Sequence, residues 1–238
     1  MEVTSGFGVP GRARWGDREV PLACSGPRPE DPLPASTLLL VVHGRAGGVV
    51  PAELQELAAE LAWRRRAPVL LEALTGEPPA LPVGVAARQL TLVPLMLLPG
   101  GHVRHDVPAI AARWRLQLPV RRLPFLGAWP SWQRALAEEL TGLVGLVPCS
   151  VAQPLLLHHP LEGCLAQRYL ALLERRTGAR CVPTSYTAPS ADVATVPLLP
   201  LALAANRLTD SLAAQVGLPL LHRPRFHQLL LAELEALA

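Results

Sequence analysis

The sequence predicts an α/β fold in two similar halves, each a parallel sheet flanked by helices, with a cleft between them. Three observations predict it. Short apolar runs alternate with longer segments of helical period along most of the chain, the pattern of right-handed βαβ crossovers. Two of those runs, Leu38–Val42 and Leu90–Leu97, lead into a glycine and histidine pair: His43-Gly44 and Gly101-His102. The order of runs and breaks in the first half then returns, weakly, in the second.

The elements follow in order. Residues 1–36 are rich in Gly, Pro and charge and show no sustained period. They read as an extended or disordered arm, with a short strand at Glu19-Val20-Pro21-Leu22. Leu38–Val42 is the first strand. Pro51-Ala52-Glu53 opens a helix, because proline in the first turn lacks only an N–H that has no helical partner. Leu54, Leu57, Ala58 and Leu61 recur on one face to Trp63, and Arg64-Arg65-Arg66 closes that helix where cations suit its dipole.

Pro68–Leu74 is the next strand, broken by Gly76-Glu77-Pro78-Pro79. A short helix is expected through Gly84–Arg88. Leu90–Leu97 is the third strand. Asp106–Trp114 reads as a helix with Asp106 as its N-cap before Pro108. Val120–Phe125 is the fourth strand, and Trp132–Leu140 the helix after it. This first half spans residues 37–148.

Residues 149–238 form the second half. Pro154–His159 echoes the first strand, and Leu161–Arg176 is its helix. Ala179–Thr184 echoes Ala67–Glu72, and Val196–Leu201 echoes Val93–Leu98. Asn206–Asp210 lines up with His102–Asp106. Leu218–His222 is the last strand and Arg225–Leu237 the closing helix. Under this alignment His43 pairs with His158, Glu72 with Thr184 and His102 with Asn206. Only the first half keeps both glycine-flanked histidines and the acid, so the chemistry is expected there, with the second half as the opposite wall.

Composition bounds the function. Half of the 238 residues are hydrophobic and only 4% aromatic, so the core is aliphatic. The formal charge of +3 is too mild to point to nucleic acid. All 22 basic residues are arginine. The four cysteines, Cys24, Cys149, Cys164 and Cys181, form no C-x-x-C pair and no disulfide framework, so a reducing cytoplasm is the expected compartment. No apolar run approaches the ~20 residues of a membrane span. No G-x-x-x-x-G-K-[ST] loop is present, so no nucleotide is expected.

His43 and His102 carry the chemistry. Ligands of open parallel sheets bind beyond the carboxyl ends of the strands, and both histidines stand there. Neutral imidazole binds transition metals and takes up protons near neutral pH. Glu72 sits in an otherwise apolar strand, where a carboxylate needs a partner or a role. It is a candidate catalytic group, with an arginine ion pair as the equal alternative.

At these residues the chain resembles the sirohydrochlorin chelatases of the CbiX/SirB type, class II tetrapyrrole metal chelatases. The matching features are a strand running into His43-Gly44, Leu70-Leu71-Glu72, then Pro94 through Gly101-His102-Val103 to Asp106-Val107-Pro108, and Leu126-Gly127-Ala128-Trp129-Pro130. Arg45 departs from the family's commoner serine. The resemblance implies an enzyme that inserts Fe2+ or Co2+ into sirohydrochlorin, on the route to siroheme or cobalamin. The metal is then substrate, His43 and His102 hold it, and an imidazole or Glu72 accepts the pyrrole protons. It implies a tetrapyrrole partner and a cytoplasmic monomer or homodimer, without nucleic acid or membrane. The alternative is a non-catalytic tetrapyrrole- or metal-binding protein using the same cleft.

Overall fold

The computed structural model describes residues 36–82, 88–145, 153–184, 196–210 and 217–237. The chain divides into two units, Met1–Leu33 and Pro34–Ala238, and the described residues all belong to the second. The expected strand at residues 19–22 and most of the expected short helix at 84–88 lie outside them.

Among the described residues seven strands form two sheets. In the first half β1 (Thr37–Val42), β2 (Val69–Ala73), β3 (Leu90–Pro94) and β4 (Val120–Arg122) pair in the order β2-β1-β3-β4. In the second, β5 (Leu155–His158), β6 (Arg180–Pro183) and β7 (Leu198–Pro200) pair in the order β6-β5-β7. Every pairing is parallel. The first sheet grows outward from β1 in both directions, so the crevice between the carboxyl ends of β1 and β3 is its natural ligand site.

The sheets are flanked by α-helices, among them α1 (Ala52–Arg65), α2 (Val107–Arg115), α3 (Pro130–Gly145), α4 (Cys164–Thr177) and α5 (Pro224–Glu235). Alternate residues of β1 face opposite sides, as a strand requires. Leu38, Leu40 and Val42 pack with Leu57 and Leu61 of α1, Trp132 and Leu136 of α3, and Phe226 and Leu230 of α5. Leu39 and Val41 pack with Ile110 and Trp114 of α2. The larger core continues into the second half through Leu156, Leu173 and Leu199, so the two halves share one apolar interior. Among the described residues no helix is long and apolar enough to cross a membrane.

Three expectations are corrected. The segment at Leu218–His222 is not a strand; Leu220–His222 is a 3-10 turn whose Leu220 and Leu221 N–H groups donate to Ala202 and Leu203 at 2.9 Å. The N–H groups of His222 and Arg223 turn back to Pro219 O and Leu220 O, so no ladder continues. Asp106 does not cap α2: its backbone is already helical, and its side chain makes no capping bond.

The third correction concerns the alignment of the halves. Val41 pairs with Glu72 and Pro94, while Leu157 pairs with Val182 and Pro200. Past the strand ends, Leu95 N–H donates to Val41 O at 2.8 Å and Leu201 N–H to Leu157 O at 2.8 Å. Leu74 N–H reaches Val42 O at 3.0 Å, and Thr184 N–H reaches His158 O at 2.9 Å. The counterpart of His43 is therefore His159, not His158, and that of Glu72 is Val182, not Thr184. A strand buried on both faces is a near-continuous apolar run, so a slip by one residue leaves no trace in its hydrophobic pattern.

Candidate functional site

A cavity of about 970 Å3 opens where the carboxyl ends of both sheets meet. Its first wall is the segment after β1, from Val42 to Ala46, and the segment after β3, from Leu95 through His102. Its second wall is His159-Pro160-Leu161 after β5 and Leu201–Arg207 after β7. Most of the lining is aliphatic, and the polar groups stand at the strand ends.

His43 and His102 meet there, with ring centroids 4.8 Å apart and planes at 84°. His43 Nδ1 lies 3.0 Å from the carbonyl of Gly44, which can only accept, so in the neutral ring Nδ1 carries the proton and Nε2 is an acceptor. Gly44 has φ +71, and a Cβ there would stand 2.9 Å from the Ala73 Cβ, so glycine lets β1 turn out of the sheet at the site.

His102 opens a helix of unusual pitch. The chain becomes helical at Gly101, widens into a π turn over His102–Asp106, and tightens into α2. The spacing of four residues places both side chains on one face of the helix. It brings Asp106 Oδ2 to 2.5 Å from His102 Nδ1. The carboxylate fixes the ring tautomer and leaves Nε2 unprotonated, the arrangement that commonly supports a metal-binding histidine.

Glu72 does not join them. Its side chain points to the α2 side of the sheet and is 3% exposed. Arg113 donates to its Oε1 and Trp114 Nε1 to its Oε2, the latter at 2.9 Å. Both acceptors are thus taken, away from the cleft. His105 is exposed one turn along the helix. Arg104, Arg113 and Arg115 do not line the cavity; Arg45 and Arg207 do.

The second wall holds groups that the sequence alignment had set aside. His159 lines the cavity, and burial holds its imidazole below its ordinary value, helped by His43, His158 and Arg207. His158 is turned into the interior, 2% exposed, with its Nδ1 2.6 Å from His159 O. Asn206 caps the turn that follows it. Its Oδ1 accepts from the N–H groups of Leu208 at 2.9 Å and Thr209 at 3.2 Å. Thr209 Oγ1 accepts from Asn206 N–H at 2.9 Å, which completes a reciprocal cap. Arg45 and Asp210 face each other across the mouth at 3.3 Å, both about half exposed. Such a pair contributes little to stability and opens readily.

The donor set suits a loosely held cation. Among the described residues no group of three or more His, Cys, Asp or Glu side chains is placed to enclose a metal ion. Two imidazoles at the lip of a large cleft would leave most coordination positions open.

The CbiX family model matches residues 37–143. Over this segment the chain is similar to the CbiX family. The matched segment holds both histidines, Asp106 and the Leu126–Pro130 motif. No curated protein matches the chain.

Three solved structures share the fold. DR2241 from Deinococcus radiodurans, described as a multi-domain protein with structural similarity to chelatases and two additional novel domains, is 20% identical with a TM-score of 0.52. The alignment covers 84% of this chain and 54% of that one, so this chain spans about half the length of DR2241. SirB from Bacillus subtilis subspecies spizizenii, a sirohydrochlorin chelatase in complex with cobalt, is 20% identical with a TM-score of 0.52, over 86% of this chain and 95% of that one. SirB from Bacillus subtilis with Fe3+ is 17% identical with a TM-score of 0.53, over 85% and 96%. All three confirm the chelatase-like α/β fold in two halves.

Proposed function

We propose that this protein is a cytoplasmic sirohydrochlorin chelatase that inserts a divalent metal, Fe2+ or Co2+, into the tetrapyrrole. The observation that carries the reading is the convergence of His43 and His102, rings 4.8 Å apart, at one wall of a cavity of about 970 Å3. The match of the CbiX family model to the segment that holds them supports it.

Metal insertion needs a divalent ion held by few ligands, two departing pyrrole protons and a ring placed face-on to the ion. His43 and His102 supply the ligands through Nε2, with Asp106 holding His102 in the right tautomer. Two protein ligands leave room for water and then for ring nitrogens. Aliphatic walls from both halves grip the macrocycle and exclude water, which sets its nitrogens near the ion. Imidazole accepts protons near neutral pH. Because Glu72 is occupied by Arg113 and Trp114, and His43 and His102 are used as ligands, the proton acceptor in this reading is the His159 imidazole, with solvent taking the second proton. Arg45 and Arg207 stand where carboxylates of the substrate would emerge, and the Arg45–Asp210 contact opens to admit it. No nucleotide takes part.

The test is anaerobic insertion of Fe2+ and Co2+ into sirohydrochlorin, followed by absorbance at trace protein. Wild-type protein should turn over many equivalents. His43→Ala and His102→Ala should each remove one of the two metal ligands and lose at least ~10²-fold, no less than the lower range for removing a general acid–base group. A spectral change that stops at one equivalent would identify a binding protein instead.

A further inference from the structure

After Pro94 the chain leaves the sheet, and its carbonyls must find partners elsewhere. Gly127 N–H donates to Met96 O at 3.0 Å. Tyr169, on α4 in the second half, shares its hydroxyl between Leu97 O at 3.1 Å and Gly127 O at 2.7 Å. Gln133 Nε2 donates to the same Gly127 carbonyl at 2.7 Å, and Arg176 of α4 donates to Gln133. Tyr169 is buried, and burial pushes its phenol well above the usual range, so it remains a donor at any working pH. A Cβ at Gly127 would stand 1.9 Å from Leu97 O and 2.6 Å from the Tyr169 hydroxyl. Only glycine admits this approach. The Leu126–Pro130 motif, which touches neither histidine, thus forms a socket for a hydroxyl from the other half.

Leu97 leads directly to the site. Gly100 N–H closes a tight turn on Leu98 O at 2.9 Å, and His102 follows two residues on. Displacing Leu97 therefore moves the turn and the start of the π-helical segment.

We infer that Tyr169 is a positioning residue: its hydroxyl, given by the second half to the Leu97 and Gly127 carbonyls, holds the wall that carries His102 at its spacing from His43. The inference rests on reading those two histidines as the metal pair. Tyr169→Phe removes only the hydroxyl. The ring keeps its edge contact with Phe125, 5.5 Å between centroids, so the fold should survive.

The test is a Co2+ titration of the full chain, read by the visible bands of the bound ion, without tetrapyrrole. Wild type, Tyr169→Phe, His102→Ala and Thr177→Ala are compared, with melting temperature as control. Thr177 lies on the same helix, and its hydroxyl donates to Leu173 O at 2.8 Å, away from the cleft. Tyr169→Phe should weaken Co2+ binding about two- to tenfold, the worth of one hydrogen bond, and alter the band shape. Thr177→Ala should lose comparable stability and bind Co2+ as wild type does. If His102→Ala abolishes binding while Tyr169→Phe matches wild type, or Thr177→Ala weakens it equally, positioning is refuted and the metal pair stands. If wild type binds no Co2+, or His102→Ala binds as well as wild type, both readings fall together.

Discussion

Glu72→Gln separates a chemical role for this carboxylate from a structural one. Glu72 is 3% exposed and accepts from Arg113 and from Trp114 Nε1, the latter at 2.9 Å. Gln is nearly the same shape but carries one acceptor and one amide donor. Whichever way it turns, its NH2 faces either a guanidinium or an indole N–H. One hydrogen bond is lost, and a donor is set against a donor. Losing a bond to a charged group costs about 1.5–3 kcal/mol. Two effects reduce that. The neutral amide no longer suffers burial of a charge, and the Arg113 side chain, 41% exposed, can turn to water. The net loss is about 1–2 kcal/mol, and in a domain of this size each kcal/mol lowers Tm by about 2–4 °C. Thermal unfolding should therefore show a drop of roughly 2–8 °C. Initial insertion rates below the new Tm should stay within about threefold of wild type, because no atom of Glu72 reaches the cleft. A variant that melts like wild type yet has lost metal insertion would refute the reasoning and return Glu72 to the chemistry.

Asp106→Asn should weaken Co2+ binding about tenfold at unchanged Tm, the lower end of the effect of removing a carboxylate behind a metal-binding histidine; isothermal titration checks it, and unchanged affinity means Asp106 does not orient His102. Burial holds His158 below its ordinary value of 6.5, and its Nε2 has no hydrogen-bond partner among the described residues. The unfolded chain then binds the proton more readily, so His158 leaves stability intact above about pH 6.5 and erodes it as pH falls below. Urea unfolding of His158→Asn from pH 7.5 to 5.5 should show a shallower acid loss than wild type; parallel curves would count against a neutral buried His158. Gly127→Ala would drive a Cβ into backbone, 1.9 Å from Leu97 O. It should cost about 3 kcal/mol, at the upper end for overpacking, and a Tm within 2 °C of wild type would show that the socket is loose.

Much of this fold was legible in the chain. β1, the helix opened by Pro51, and the strand and helix alternation follow from apolar period and from where proline and glycine interrupt it. The convergence of His43 and His102 was legible too. In a parallel sheet, residues that follow neighbouring strands must emerge at the same edge, so two strand-end histidines are brought together by topology alone. What composition and period could not carry was register and side-chain direction. The strands are greasy on both faces, so shifting the second half by one residue in β5, or by three in β7, preserves the pattern. The strand registers and the backbone hydrogen bonds past the strand ends show that His159, not His158, is the counterpart of His43. Likewise, Glu72 in sequence is an acid among leucines. Which face of the sheet it meets depends on the pleat of β2, and its partners Arg113 and Trp114 are 41 and 42 residues away. Asp106 looked like a cap because it precedes Val107-Pro108. The structure made it a partner of His102 instead, because the helix already begins at Gly101 and so places the two side chains four residues apart on one face.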